Sequence, residues 1–433
     1  MGLPDLISID PLDRLPVAEV VVPGSKSITN RVLILAVQKD AETRLQGALW
    51  SEDTRVMVEC LQRLGYEIDV LPDPGEPSNR SLVVRGGGAE IPPGGTESNP
   101  LELFVGNAGT AARFLLAFLC LGRGVYRLHG VPRMHERPQS GLIQSLRELG
   151  YRLDSDHDRL PILIHGGGAR EAACDVDISA SSQFASALLL SARHGKWTVR
   201  FHGKPLSQSP YVKMTQELIV EFESVGAEFQ IEPDASSGSY FWALNALGIP
   251  LDPSAAVPPE RRAVSVKNWP QSGWQIDAEF PRFLDYSDEL SRDRDLGDSI
   301  MTAIVLGAVA EGPRHFVDLG RLRVQECERV EALRTELVRC GIRVIEDGDT
   351  LTVTPGVLQP AEIETYDDHR MAMCFAVLGL KASGIRIKDP NCVKKTFPNF
   401  FQKLALTPPN GLGVVVRDGL SGKVLQGDDL IAS

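Results

Sequence analysis

Apolar positions along this chain follow two periods that alternate. A short run at Val20, Val21 and Val22 is broken by Pro23-Gly24, and a run of helical spacing from Val32 to Val37 follows. That order predicts a strand, a tight turn and a helix start. One pattern then recurs four times: a polar turn, a helix closing on Leu-Gly or a relative of it, and an alternating strand. Ser51 to Met57 leads through Leu64-Gly65 to Tyr66–Val70, and Arg133 to Pro138 through Leu149-Gly150 to Pro161–His165. Ser209 to Thr215 leads through Val225-Gly226 to Ala227–Ile231, and Gln325 to Arg329 through Cys340-Gly341 to Ile342–Ile345. The glycines suit helix C-caps and the alternation suits half-buried strands. Repetition at this scale predicts an α/β fold made by copying one unit, its helices packed on sheets. Two stretches break the rhythm. Pro72 to Gly95 reads as a loop around a hairpin at Leu82–Arg85, and Pro250 to Asp298 is rich in proline and charge.

At 433 residues the chain has room for two or three domains with substantial cores. A net charge of −12 argues against nonspecific nucleic-acid binding, so any anion site must be a local basic cluster in an acidic field. The first fifteen residues carry Asp5, Asp10 and Asp13 and no signal-peptide core. The apolar run Ala111 to Leu121 is too short to span a bilayer and contains Arg113. Seven cysteines form no C-x-x-C pair and sit mostly among apolar residues, as reduced core thiols of a cytoplasmic protein would.

The chemistry gathers in turns. PGSKSITNR (23–31) sets Lys26 and Arg31 among small and hydroxyl residues at a helix start, where backbone N–H groups and both cations could meet one anion. It lacks the glycine spacing of a Walker loop, and a Ser-capped helix with two solvated cations fits it equally. GNAGTAAR (106–113) repeats the logic, with Asn107 and Thr110 as donors and Arg113 one turn in. Arg133 and Arg137, four apart, would share a helix face. Ser181-Ser182-Gln183 opens another apolar helix, Glu326 and Arg329 could pair at i, i+3, and Asp367 to Arg370 leads into Met371–Leu380. Lys394 and Lys395 follow Pro390. Asp298 begins a small-residue helix, and spacing alone does not separate it from Asp285, Asp288, Asp293 or Asp295. No H-E-x-x-H, C-x-x-C or G-x-S-x-G pattern occurs, so metal chemistry finds little support. Basic turns beside hydroxyls suit a cleft for small, multiply anionic molecules.

In this order the turns resemble the 5-enolpyruvylshikimate-3-phosphate synthase family. The matching blocks are PGSKSITNR (23–31), GNAGTAAR (106–113), PRMHERP (132–138), SSQF (181–184), DASSGSYF (234–241), LRVQECER (322–329), DDHRMAMCF (367–375) and DPNCVKKTFP (389–398). The resemblance implies two similar domains, 1–22 with 234–433 and 23–233, each an inside-out α/β barrel of three βαβαββ units, with the active cleft between them. It implies transfer of the enolpyruvyl group of phosphoenolpyruvate to the 5-hydroxyl of shikimate 3-phosphate by a monomer without cofactor or metal. Neither nucleic acid nor membrane is a partner. Carried over residue by residue, Lys26 touches both substrates. Ser27, Arg31, Ser181, Ser182, Gln183, Ser209 and Gln325 hold shikimate 3-phosphate. Gly109, Arg113, Arg137, Gln183, Arg329, Arg370 and Lys395 surround phosphoenolpyruvate. Asp298, also beside shikimate 3-phosphate, is the base at the 5-hydroxyl, and Glu326 and His369 complete the proton-handling shell. Glycine at position 109 leaves room for glyphosate, so sensitivity to it is expected.

Four departures stand out. Gln325 replaces a family lysine that contacts shikimate 3-phosphate and is a candidate proton donor; a strand here would set Arg321, Arg323 and Gln325 on one side, one arginine substituting for the lost cation. The family's S-x-P-Y serine falls on Gln208, leaving Ser207 or Ser209 to serve. The sixth α/β unit looks shortened between Trp274 and Asp298, and the tail after Leu406, with a hairpin at Val414–Val416 and Val424–Leu425, looks extra. Two rivals remain: a catalytically weak ligand-binding paralogue, and a UDP-N-acetylglucosamine enolpyruvyl transferase, which would need a cysteine on the loop Arg133–Pro138.

Overall fold

The long apolar stretches become helices buried nearly all round, and the alternating stretches become sheets that cover them. The computed structural model describes residues 2–179, 181–206, 209–253, 262–285 and 289–433. Residues 24–232 form one compact unit, and residues 1–23 with 233–433 form another. Six helices position most of the candidate site residues. In the first unit these are α1 (Lys26–Val37), α2 (Gly109–Leu119) and α3 (Ser182–Gly195). In the second they are α4 (Ala235–Trp242), α5 (Ile300–Leu306) and α6 (His369–Gly379). Every residue of α2 except Thr110 is buried, as is every residue of α6. A helix without a polar face is stable in water only as a core element, which accounts for the apolar run from Ala111.

Each of the six precedes one strand of a parallel pair. In the first unit the pairs are Glu42–Leu49 with Glu228–Gln230, Arg123–His129 with Leu101–Phe104, and Trp197–His202 with Ala172–Asp177. In the second they are Val264–Val266 with Ala18–Val20, Arg314–Val317 with Glu289–Ser291, and Ile385–Lys388 with Ala361–Ile363. Among the described residues, four of these pairs grow into four-stranded sheets by adding two antiparallel strands. The full unit is plain from Leu101 to Gly167: strand, α2, strand, helix Ser140–Glu148, and the hairpin Arg152–Ser155 with Ile162–Gly167.

The same βαβαββ order runs without loss from Glu289 to Thr354, so the unit expected to be shortened before Asp298 is complete. The reduced sheets are the two-stranded ones, Ala172–Asp177 with Trp197–His202 and Val264–Val266 with Ala18–Val20. Gly65, Gly150 and Gly341 take left-handed φ of 107°, 88° and 82° after their helices, as expected of C-caps. The helix Pro210–Ser224 ends instead through an extended Val225, so Gly226 caps nothing. The hairpin expected at Leu82–Arg85 is longer, pairing Glu67–Pro72 with Asn79–Arg85.

The tail is part of the core. Val416–Asp418 is the edge strand beside Leu6–Ile9, and Arg417 bridges to Val424 to make the expected hairpin. Leu412, Val414, Leu425 and Leu430 are buried with it. All seven cysteines are free thiols and six are buried. Among the described residues no helix is long and apolar enough to cross a membrane.

Candidate active site

In the first unit the site residues sit at or near the starts of α1, α2 and α3. The turn into α1 is tight: a Cβ on Gly24 would stand 1.9 Å from the Gly47 carbonyl oxygen, and the Gly24 N–H donates to Asn79 Oδ1 at 2.8 Å. Ser25 then caps the helix, its hydroxyl accepting from the Ile28 N–H. Lys26 pairs with Asp53 at 3.1 Å, a residue that the sequence pattern did not single out. Ser27 is half-buried beside it. Arg31 does not join Lys26. It is 2% exposed and donates to Thr215 Oγ1, the Ser27 carbonyl and Ser186 Oγ at 2.8, 2.8 and 3.2 Å, with its guanidinium 5.2 Å from the Phe114 ring. Five residues turn a helix by about 140°, which puts the two cations on different faces. Burial pushes the Arg31 pKa down to about 10, so it stays charged at neutral pH while joining α1, α2 and α3 at one level.

Two guanidiniums close on the start of α2. Arg113 Nη1 donates to Gln183 Oε1 at 2.5 Å and Nη2 to the Pro138 carbonyl at 3.2 Å. Arg137 Nη1 donates to the carbonyl and the side-chain oxygen of Asn107, at 3.0 and 3.3 Å. Asn107, expected as a donor, therefore accepts here. Arg133 and Arg137 part company: Arg133 pairs with Glu136 on the surface, while Arg137 is 5% exposed. Pro138 explains this, since it drives Arg137 out of the helical region to φ −68°, ψ 137°. Ser181 caps α3 through the Gln183 N–H, and Ser182 is half-buried in its first turn. Ser209 is buried and turned toward the Pro205 carbonyl at 3.5 Å. The expectation about Ser207 and Gln208 lies outside the described residues.

In the second unit the starts of α4, α5 and α6 are tied together by Arg370. It donates to Ser236 Oγ in α4, and its Nη2 lies 3.1 Å from Asp298 Oδ2 ahead of α5. One turn further in, Ser239, Thr302 and Cys374 meet side by side. Arg292, which the sequence pattern did not single out, takes the other Asp298 oxygen at 3.0 Å. Asp277 lies buried nearby and accepts the Ser299 N–H at 2.7 Å; burial and the Asp298 charge push its carboxyl above the usual range.

Arg329 is the centre of a neighbouring group. It pairs with Glu326 at 2.8 Å, as the i, i+3 spacing predicts, and bidentately with Asp368 at 2.7 and 3.1 Å. Its Nη1 donates to Gln325 Oε1 at 2.5 Å. Burial opposes the Arg329 charge, but Asp368 and Glu326 outweigh it and hold the pKa above its ordinary value. Asp298 adds to that field, so the two groups adjoin. His369 is fully buried, its Nδ1 3.6 Å from Asp368. Lys395 is buried in the 3₁₀ turn Pro390–Lys395, which packs on α6.

The segment with Arg321 and Arg323 is a 3₁₀ helix, Leu319–Val324, not a strand. Arg323 points to Glu328, Glu346 and Asp349, which neutralise it, so it does not replace the missing lysine charge. Among the described residues no three His, Cys, Asp or Glu side chains are grouped to hold a metal ion.

Paired units of three sheets around helices whose starts gather cations and carboxylates define the enolpyruvyl transferase fold. An EPSP synthase structure from Acinetobacter baumannii covers 95% of this chain and all of its own at TM-score 0.67 and 21% identity. The enolpyruvyl transferase NikO from Streptomyces tendae covers 95% of this chain and 98% of its own at TM-score 0.60 and 15% identity. The chain belongs to the EPSP synthase (3-phosphoshikimate 1-carboxyvinyltransferase) family, whose model matches residues 13–225 and 293–404. A 3-phosphoshikimate 1-carboxyvinyltransferase from Trichormus variabilis is 35% identical over 92% of this chain and 98% of its own length. One from Rhizobium etli is 37% identical over 92% of this chain and 94% of its own.

Proposed function

We propose that this chain transfers the enolpyruvyl group of phosphoenolpyruvate to the 5-hydroxyl of shikimate 3-phosphate and releases phosphate. The observation that carries this reading is Asp298, an acid at a helix start with arginines on both oxygens, in a chain of this family. The substrate 5-hydroxyl gives its proton to Asp298 as its oxygen bonds to the central carbon of phosphoenolpyruvate. A proton adds to the methylene carbon, making a methyl group. The bond to phosphate then breaks, a methyl proton leaves, and the enol ether remains. Lys26, Glu326 and His369 are the groups assigned to proton handling at the methylene carbon.

Anion binding divides among the cations. Arg137, Arg113, Arg329, Arg370 and Lys395, with Gly109 and Gln183, take phosphoenolpyruvate. Lys26 bridges both substrates, and Ser27, Ser181, Ser182, Gln183, Ser209 and Gln325 hold shikimate 3-phosphate. Holding two polyanions together lowers the entropic part of the barrier, and the carboxylates stabilise the positive charge that grows on protonation. Arg31 acts at one remove in this scheme, since its donors are taken by protein acceptors. The enzyme works as a cytoplasmic monomer, which light scattering of the purified chain checks for oligomeric state.

The test is phosphate release with both substrates, beside calorimetry of each. The parent releases phosphate, and Asp298→Asn loses about 10²- to 10⁴-fold in turnover while still binding shikimate 3-phosphate. Binding without release by the parent would instead support the ligand-binding paralogue.

A further inference from the structure

Asp298 is gripped from two directions that differ in kind. Arg370 stands in the first turn of α6 and shares its guanidinium between Ser236 and Asp298 Oδ2. Arg292 comes from the turn after strand Glu289–Ser291, is 8% exposed, and divides between Asp298 Oδ1 at 3.0 Å and Asp293 at 3.3 Å. That turn is stapled. The Ser291 hydroxyl accepts the N–H groups of Asp293 and Arg294 at 3.2 and 3.1 Å, and the Arg292 N–H donates to the Val317 carbonyl at 3.2 Å. Arg292 is therefore delivered from rigid backbone.

In the proposed enolpyruvyl transfer, on which this inference rests, Arg370 meets phosphoenolpyruvate, whose oxygens compete with Asp298 for it. We propose that Arg292 is a positioning residue: it holds Asp298 through Oδ1 while Oδ2 exchanges Arg370 for the substrate hydroxyl. Among the described residues, charged groups facing Asp298 include Arg292, Arg370, Arg329 and the buried Asp277. Asp277 repels the Asp298 charge. With Arg370 drawn to substrate, Arg292 stays in direct contact as a cation that keeps the acceptor ionised and aimed.

The experiment is the pH dependence of kcat and KM, by phosphate release, for the parent, Arg292→Gln, Arg292→Lys and Arg294→Gln. Arg294 pairs with Glu289 on the surface and serves as control. Arg292→Gln is expected to lose about 10- to 100-fold in kcat with both KM values within about threefold. The acid limb of its kcat profile should move to higher pH by about one unit, because losing a neighbouring cation favours the protonated acid. Arg292→Lys should recover part of the lost kcat, staying below the parent, and restore the acid limb, since the charge returns without the fork. Parental kcat and profile in Arg292→Gln, or a loss with an unmoved acid limb, overturns the proposal. If thermal melting shows Arg292→Gln unfolded, Arg292→Lys decides: intermediate kcat at unchanged KM supports the role, and parental kcat overturns it. An active Asp298→Asn would refute the underlying enolpyruvyl transfer instead, whatever the Arg292 variants do.

Discussion

Gly109 and Arg137 leave no room for a side chain between them: a Cβ on Gly109 would stand 2.7 Å from Arg137 Nη2. Arg113 Nη1 would be 2.8 Å away on another side. Neither guanidinium can yield freely, because Arg137 is tied to Asn107 and Arg113 to Gln183 and Pro138. Gly109→Ala should therefore displace one of the arginines proposed to bind phosphoenolpyruvate rather than unfold the helix. The KM for phosphoenolpyruvate is expected to rise about tenfold, one lost charge-assisted hydrogen bond, with that for shikimate 3-phosphate little changed. Glyphosate should inhibit the parent and inhibit the variant less. Steady-state kinetics check this, and an unaltered KM for phosphoenolpyruvate refutes it.

Asp277 gives a signed prediction about pH. Burial, then the Asp298 charge, raises its carboxyl above the ordinary 3.8. The folded state thus holds this proton more tightly than the unfolded chain. Its contribution favours folding below pH 3.8 and is lost as pH rises through the folded value. Asp277→Asn keeps an oxygen for the Ser299 N–H and removes the charge. The difference in melting temperature, variant minus parent, should be more positive at pH 7 than at pH 4. The reverse order of those two differences would sink the argument.

Gln325 is part of the acceptor set around Arg329, which is 1% exposed. Gln325→Lys removes an oxygen from a buried guanidinium and sets an ammonium beside it. A loss of about 1–3 kcal/mol in stability is expected, with no gain in turnover. Denaturant melts and kcat measure both. A large rise in turnover would mean that the missing charge at this position limits the parent.

The tail predicts a contrast. Ending the chain at Leu406 removes the buried Leu412, Val414, Val416, Leu425 and Leu430, uncovers the core they pack against and strips the edge strand from Leu6–Ile9. Each such side chain contributes about 1.5–3 kcal/mol when buried, so the shortened chain should be insoluble. Arg417→Ala breaks the half-exposed pair with Asp10, at 2.9 Å, and a long contact to the Gly422 carbonyl, at 3.4 Å, and should change stability by less than about 1 kcal/mol. A soluble, folded truncation would show that the tail is dispensable.

Local chemistry was legible where it depends on neighbours in sequence. Ser25 and Ser181 cap helices, and Glu326 and Arg329 pair, because capping and i, i+3 contacts need only a few residues of helix. The parting of Arg133 and Arg137 was also written there, in Pro138, though helical spacing alone hides it. Other features could not be read this way. Arg31 turns inward because α2 and α3 pack against α1 and offer Phe114 and Ser186 to it. Arg292 was invisible among a run of alternating charges until the strand before it was paired and its turn closed.

The sequence by itself determined the repeated unit, the helix starts, and the family whose motifs those starts carry, since periodicity, caps and turns are local physical choices. Only the tertiary structure decided which charges meet. Arg113 finds Gln183 70 residues away, and Lys26 finds Asp53 27 away. Arg370 and Arg292 share one carboxylate. Those partners follow from the rotation of each buried helix about its axis. Packing against neighbouring helices fixes that rotation, and the spacing of residues along the chain does not.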